Sequence, residues 1–452
     1  MKAESLGPET KCSTSLTSTA SPNALSPTTT MTYSRLTRFA RQQTLKLMQQ
    51  LNGCCLEIDD GNSQWLLGQP DAPLKAHLTL HEPSVWRDIA FGGTLAAAEA
   101  YMDGRWSCDD LTALVRIMAT NVEQVNQQLD HPLKRFGAPL TRLLHALNRN
   151  TRKGARRNIS AHYDLGNELF ALFLDRDHRM YSSAIYPHAN ATLEEASTYK
   201  LDRICQKLAL TPTDHLLEIG TGWGGLALYA AQHYGCNVTT TTISREQYEH
   251  ARARVAEAGL EDRITLLFQD YRDLEGQFDK LVSIEMIEAV GHHYLPTYLQ
   301  TLERHLKPDG LALIQAITMR DQRYRFALKE VDFIKKYIFP GGFLPSLTAL
   351  LSQLTRHTAL NLLHQEEIGV HYARTLRDWR ERFEDQLEAV RQQGYDERFI
   401  RMWRYYLCYC EGGFQERAIG TSQLLLAMPN NRRAPLLGSL EAPLNYELQA
   451  PE

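Results

Sequence analysis

The spacing of apolar residues changes character along the chain and divides it into stretches with different expectations. Residues 1–32 are rich in Ser, Thr, Pro and Ala ("STSLTSTASPNALSPTTT") and offer almost nothing to bury, so a disordered tail is expected. Residues 33–130 mix two periods. "LTRFARQQTLKLMQQL", "TLAAAEAYMDG" and "DDLTALVRIMATNVEQVNQQL" read as helices, while "CCLEI" and "AHLTLH" read as strands, giving a small α+β domain. No clustered titratable set stands out there, so docking to a lipid or membrane is its expected contribution. From residue 158 to 430 strands and helices alternate. The strand candidates are "HLLEIG", "NVTTTTI", "RITLLF", "KLVSIEM" and "GLALIQAIT", a βαβ rhythm that predicts a parallel sheet. The helical "DQRYRFALKEVDFIKKYIFPGGFLPS" interrupts it, and "NLLHQEEIG" with "TSQLLLAMP" predicts an antiparallel pair at the sheet edge. Residues 431–452 form a C-terminal tail.

Composition adds little to this picture until it is read locally. With 452 residues, 43% hydrophobic and 23% charged, and a net charge of -4, the chain has no overall sign that would draw it to nucleic acid, and none is expected as a partner. Residues 131–157 differ. The run "HPLKRFGAPLTRLLHALNRNTRKGARRN" holds eight Lys or Arg and no acid. It reads either as a solvated linker or as a contact with an anionic leaflet, where each cation contributes about 1 kcal/mol; Leu140, Leu143, Leu144 and Leu147 recur beside it at helical spacing. Eight cysteines show no C-x-x-C pair and no metal-ligand spacing, so reduced thiols and no metal are expected. No run of eighteen apolar residues occurs and no secretion signal opens the chain. The expected location is cytoplasmic, peripheral to the inner face of the membrane.

The chemistry begins at "LLEIGTGWGG", a buried strand running into a turn crowded by Gly220, Gly222, Gly224 and Gly225. Gly220, Gly222 and Gly225 satisfy G-x-G-x-x-G, so a dinucleotide has to be weighed. Such a site wants an acid at the end of the second strand, whereas that strand ends "TTTTIS". The acid instead precedes the glycines, as Glu218. Acid-x-G-x-G is the pattern of class I S-adenosylmethionine-dependent methyltransferases.

Further stretches carry a more specific resemblance: "NISAHYDLGNELFALFLD", "MYSSAIY", "LEIGTGWGG", "TISREQ", "QDYRDL", "EMIEAVGHHYLPTY" and "KYIFPGGFLPS". Together they closely resemble the cyclopropane fatty acid synthase family, over about three-fifths of the chain, and "EAYMDGRW" resembles the accessory domain of its longer bacterial members. The resemblance implies a Rossmann-like seven-stranded methyltransferase domain with a helical lid insertion, preceded by the small α+β domain. It implies transfer of the methyl carbon of S-adenosylmethionine to a cis double bond of a phospholipid acyl chain, then closure to a cyclopropane. Homodimerisation stays open.

By position, the resemblance implies that Tyr181 and Ser182 touch the cofactor, that Gly220 and Gly222 bring backbone to it, and that Thr241, Thr242 and Gln247 bind the adenosine moiety. It further implies that Asp270, Tyr271 and Arg272 flank the adenine. Thr241 also has a plain reading as a β-branched strand residue. For the proton lost after methyl transfer, the resemblance implies a bound bicarbonate caged by Glu288, the Ile317 backbone and Tyr372. Two positions depart: Ser183 stands where relatives have Cys, and Gln315 where they have His. Both still donate hydrogen bonds to an anion, but an imidazole is lost, which leaves a methylated product without a ring as the alternative. His162, with Tyr163 and Asp164, is expected in the surrounding shell. Glu288 is favoured over Glu285 for the site, each having a helix-capping reading. Finally, residues 320–350 interleave six basic residues with Tyr324, Phe326, Phe333, Tyr337, Phe339 and Phe343. That pattern fits a folded core in part and a lipid-facing lid in full.

Overall fold

The computed structural model describes residues 32–128, 166–434 and 436. The basic run at 131–157, nearly all of the N-terminal tail, most of the C-terminal tail and His162 lie outside the described residues. Two sheets organise the rest. The first has the order β2-β1-β3-β4, from β1 Cys55–Asp59, β2 Gln64–Gly68, β3 Lys75–Leu80 and β4 Trp106–Cys108. Helices α1 Arg35–Met48, α2 Val85–Met102 and α3 Leu111–Gln128 accompany it. β4 escapes the sequence pattern because it has three residues, and β2 because only one of its five is buried.

The second sheet is seven-stranded, with order β10-β11-β9-β8-β5-β6-β7: β5 His215–Ile219, β6 Asn237–Thr242, β7 Ile264–Phe268, β8 Phe278–Ile284, β9 Leu306–Met319, β10 Asn361–Glu367 and β11 Ile419–Ala427. β5 to β9 run parallel, and β11 lies antiparallel between β9 and β10. Both faces of the parallel strands are covered, so β6 is buried from Val238 to Thr242 and shows no alternation. Its threonines find partners in neighbouring strands: Thr239 Oγ1 and His215 Nε2 lie 2.9 Å apart. Around the sheet run α4 Asn167–Ala171, α5 Leu193–Leu208, α6 Gly225–Tyr234, α7 Arg245–Glu257, α8 Leu295–Arg304, α9 Asp321–Ala327, α10 Leu347–His357, α11 Gly369–Asp385, α12 Leu387–Gln392 and α13 Glu397–Gln415. α5 starts on a capping box: Thr192 accepts from Glu195 N–H and Glu195 accepts from Thr192 N–H.

Strand order reverses beside β5, which pairs β6 on one side and β8 on the other. Open parallel sheets place ligands at the carboxyl ends of strands flanking such a switch. Here those ends carry the glycine turn and residues 285–288. The two sheets do not belong to separate cores. α13 packs on α3, and Trp403, Tyr405 and Leu407 share one apolar cluster with Tyr101, Trp106 and Ile117. Gly412 permits the approach, because a Cβ there would lie 2.8 Å from Val115 Cγ1. Polar ties reinforce it: Arg116 pairs with Glu416 at 2.6 Å and Arg401 donates to the Trp106 carbonyl at 2.7 Å. Among the described residues no helix is long and apolar enough to cross a membrane.

Candidate functional site

At the end of β5 the chain turns through Gly220 (φ +103), Gly222 (φ +53) and Gly224 (φ +85), conformations that a side chain resists. The Gly220 and Thr221 amides donate to the Thr241 carbonyl at 3.0 and 3.1 Å, tying the turn to β6. A Cβ on Gly222 would meet nothing within 4 Å, so its surroundings are open for a ligand. Gly225 is different: a Cβ there would lie 2.5 Å from the His178 carbonyl, so this glycine serves packing. Glu218 is buried and accepts from Thr240 at 2.6 Å, and Thr240 in turn bonds Thr221 at 2.7 Å. Loss of water pushes its carboxyl up to about 8.

The cradle's far wall comes from β6 and β7. Thr242 donates to Gln247 Oε1 at 3.1 Å, and Ser244, the N-cap of α7, holds the Gln247 amide at 3.3 Å. Asp270 accepts from the Arg272 backbone and from its guanidinium, at 2.6 to 3.0 Å, fixing the turn that carries Tyr271. The Thr241 hydroxyl donates to the Gln269 carbonyl at 2.5 Å. Its side chain is therefore used by the fold, as the strand reading allowed, although the residue still lines the cavity.

Opposite the glycines runs 181–183. Asp175 shapes the preceding turn, accepting from the His178, Arg179 and Met180 amides at 2.7 to 3.0 Å. Tyr181 stacks on Trp379 with ring centroids 5.3 Å apart, and its hydroxyl meets that of Tyr406 at 2.9 Å. Ser182 accepts from the ammonium of Lys200 at 2.7 Å. Lys200 is fully buried, and loss of water lowers its pKa to about 8 against the pull of Glu285 and Asp175.

The polar pocket at the ends of β8 and β9 is arranged differently from the sequence expectation. Ser183, Gln315 and Tyr372, expected around an anion held with Glu288, converge on Glu285. Ser183 N–H donates to its Oε1 at 3.0 Å, the Gln315 amide to the same oxygen at 2.7 Å, and the Tyr372 hydroxyl to Oε2 at 2.7 Å. The Ser183 hydroxyl itself turns to the Ala184 carbonyl at 3.0 Å. Glu288 takes the Ile317 N–H on Oε1 at 2.6 Å, while its buried Oε2 has no hydrogen-bond partner among the described residues. Loss of water, then the neighbouring Glu285, push the Glu288 carboxyl up to about 8. Burial also raises Glu285, against the three donors and Lys200.

Both carboxylates open onto one cavity of about 1330 Å³ that also takes in the glycine cradle. Its lining continues into the first sheet's helices, through Phe39, Leu47, Ile89, Phe91, Leu114 and Met118. Within residues 320–350, Phe333 and Phe343 are buried core residues and Phe326 is 50% exposed, and both Phe326 and Phe343 line the cavity. Lys336 and Tyr337 fasten this segment to Glu99 of α2.

Comparison with known proteins fixes the relationship. The profile of the mycolic acid cyclopropane synthetase family matches residues 150–424, more than half of the chain. The chain belongs to this family. Its members are class I S-adenosylmethionine-dependent methyltransferases, and the seven-stranded sheet is the fold expected of one. A tuberculostearic acid methyltransferase of Mycobacterium tuberculosis is 39% identical over 78% of this chain and 84% of its own length. The cyclopropane-fatty-acyl-phospholipid synthase of Escherichia coli K12 is 37% identical over 78% of this chain and 88% of its own. The structure of a cyclopropane synthase from Mycobacterium tuberculosis superposes with a TM-score of 0.56 at 30% identity, covering 98% of that chain but 60% of this one.

Relative to this family, the structure brings Tyr181, Ser182, Glu218, Gly220, Gly222, Thr241, Thr242, Gln247, Asp270, Tyr271, Arg272, Glu288, Ile317 and Tyr372 to one cavity. Gln315 and Ser183 sit behind it, with their donors on Glu285. The sequence reading passed over Lys200 and Asp175. Lys200 falls on the apolar stripe of α5 with Leu193, Ala196, Leu201 and Ile204, and a lysine on such a stripe is the signal that was available.

Proposed function

We propose that this chain transfers the methyl carbon of S-adenosylmethionine to a cis double bond of a phospholipid acyl chain and closes the adduct to a cyclopropane. The observation that carries this reading is the continuity of one cavity from the glycine cradle to an apolar lining in the N-terminal helices. A nucleoside and an acyl chain thus have adjoining places. The open space beyond Gly222 and the carboxyls of Glu218 and Asp270 fit a bound sulfonium nucleoside, with Gln247, Thr242, Tyr271 and Arg272 around its adenosine and Tyr181 and Ser182 near the reacting end. Bound there, it would supply an electrophilic methyl group. An alkene is a weak nucleophile, so the chain's contribution is alignment and exclusion of water. The rings of Tyr181 and Tyr406 on the cavity lining, Tyr181 backed by Trp379, form an aromatic wall suited to positive charge developing on carbon.

Bicarbonate, which the resemblance implies as the base, does not fit this pocket. The side-chain and backbone donors expected to hold it end on Glu285 and Glu288, which leaves a bound anion no donor there and sets it against the Glu285 carboxylate. Access from a membrane surface is supported by Phe39, Phe91 and Phe326, exposed at 45%, 39% and 50% on the cavity lining, beside Lys46, Arg323 and Lys329. A methylated product without a ring is the second reading, favoured by Ser183 and Gln315 and by the resemblance to the tuberculostearic acid methyltransferase. Gas chromatography and mass spectrometry of lipids from an expressing host decide between them. Cyclopropane acyl chains are expected, and methyl-branched or methylene chains alone would replace the first reading by the second.

A further inference from the structure

Glu285 has a left-handed backbone, φ +50, which costs a residue with a side chain free energy that glycine avoids. Strain of this kind persists where surrounding structure over-determines it and points toward function. Three elements do so here. The amide of Ser183, the side chain of Gln315 on β9 and the hydroxyl of Tyr372 on α11 all donate to the one carboxylate, which stands at the tip of β8 on the cavity wall. Ser183, Gln315 and Tyr372 are three of the five positions that the family resemblance assigns to an exogenous bicarbonate, Ser183 contributing its backbone amide while its hydroxyl turns to the Ala184 carbonyl; the other two, Glu288 and Ile317, bond each other.

We propose that the carboxylate of Glu285 takes the place of that anion and is the base of the reaction, so that the enzyme needs no bicarbonate. This rests on the methyl transfer proposed above. After the methyl carbon has bonded to one alkene carbon, its neighbour is cationic. A C–H bond of the added methyl breaks, its electron pair bonds to the cationic carbon and closes the ring, and the proton passes to a Glu285 oxygen. In the ring-less reading a hydride first shifts between the two former alkene carbons, and the same proton leaves to give a methylene group. Either way the base has one task. Glu288 suits it less, because it holds a single backbone donor and its second oxygen has no hydrogen-bond partner among the described residues, whereas donors from three elements hold the Glu285 carboxylate in place; burial raises both carboxyls, and at Glu285 those donors and Lys200 oppose it.

The test uses the full-length protein, vesicles of palmitoyl-oleoyl phosphatidylglycerol and buffer freed of bicarbonate, with methylated acyl chains counted by mass spectrometry and S-adenosylmethionine affinity measured by calorimetry. Wild-type turnover is expected to be unchanged by removing or adding bicarbonate. Glu285→Gln fills the site but cannot take a proton, so a loss of about 100-fold or more is expected, typical of a lost general base, with cofactor affinity retained and no rescue by bicarbonate. Glu285→Gly relieves the backbone and vacates the cage. It is expected to lose a similar factor and to regain activity as bicarbonate is added. Bicarbonate-dependent wild-type turnover, or a Glu285→Gln enzyme of normal turnover, overturns the assignment while leaving methyl transfer standing. A wild-type enzyme that methylates nothing at any bicarbonate concentration overturns both.

Discussion

The two halves of the cavity, the glycine cradle at β5–β7 and the carboxylate pocket at β8–β9, lie at adjacent strand tips yet are built on opposite principles. In the cradle the backbone is stripped of side chains, and the position beyond Gly222 is open. In the pocket the side chains are present and their donors are already satisfied by Glu285. The same device, a left-handed residue at a strand end, serves both: glycine where a ligand must approach, glutamate where the chain supplies its own anion. One half is made to receive, and the other arrives filled.

The comparison breaks most severely at Gly222. Gly222→Asp puts a charged side chain into the open space and a non-glycine residue at φ +53, a strain of about 1–3 kcal/mol. Calorimetry is expected to find no S-adenosylmethionine binding, with a thermal transition still present; wild-type affinity would refute the cradle. Next, Glu285→Gln and Glu288→Gln should both retain cofactor affinity but separate in turnover, the first falling about 100-fold or more and the second about tenfold, as suits a neighbour that holds the Ile317 amide. Equal losses would return Glu288 to the central role. The second variant also has a stability signature. A carboxyl raised from 4.5 to about 8 in the fold favours the folded state at low pH and loses that advantage as pH rises through this window. Glu288→Gln should therefore gain on the wild type between pH 4.5 and 8, read by denaturant melts at each pH.

A smaller effect is expected at Lys200. Its buried charge holds the titration of Glu285 down, so Lys200→Met should move the ascending limb of kcat/KM to higher pH by about 1 unit. A purely structural lysine would lower stability without moving that limb. The smallest effect belongs to the cavity mouth. Phe39→Ser or Phe326→Ser should weaken vesicle binding about fivefold, roughly 1 kcal/mol, part of what burying a phenyl ring contributes, and unchanged sedimentation with vesicles would remove these rings from the lipid surface.

Sequence periodicity located the five parallel strands of the seven-stranded sheet because buried parallel strands read as apolar or β-branched runs, and it found the antiparallel β10 and β11 at the edge as well. It missed β4, whose three residues leave no period to detect, and β2, where a single buried residue leaves no alternation. The cradle was legible too, since glycine spacing and the preceding acid are local. The pocket was not: Glu285 is made by donors 102, 30 and 87 residues away along the chain, while the capping reading that set it aside looked only at its neighbours. The joint core of α3 and α13 was hidden for the same reason, because Gly412 against Val115 is a contact between the two ends of the chain.

Methyl transfer into lipid is the claim on which the rest stands. The purified chain, given S-adenosylmethionine labelled with carbon-13 in its methyl group and vesicles with cis-monounsaturated chains, should deliver one labelled carbon per modified acyl chain, and Gly222→Asp should deliver none. Label that never leaves the nucleoside, or enters the head group instead of the hydrocarbon, would contradict it.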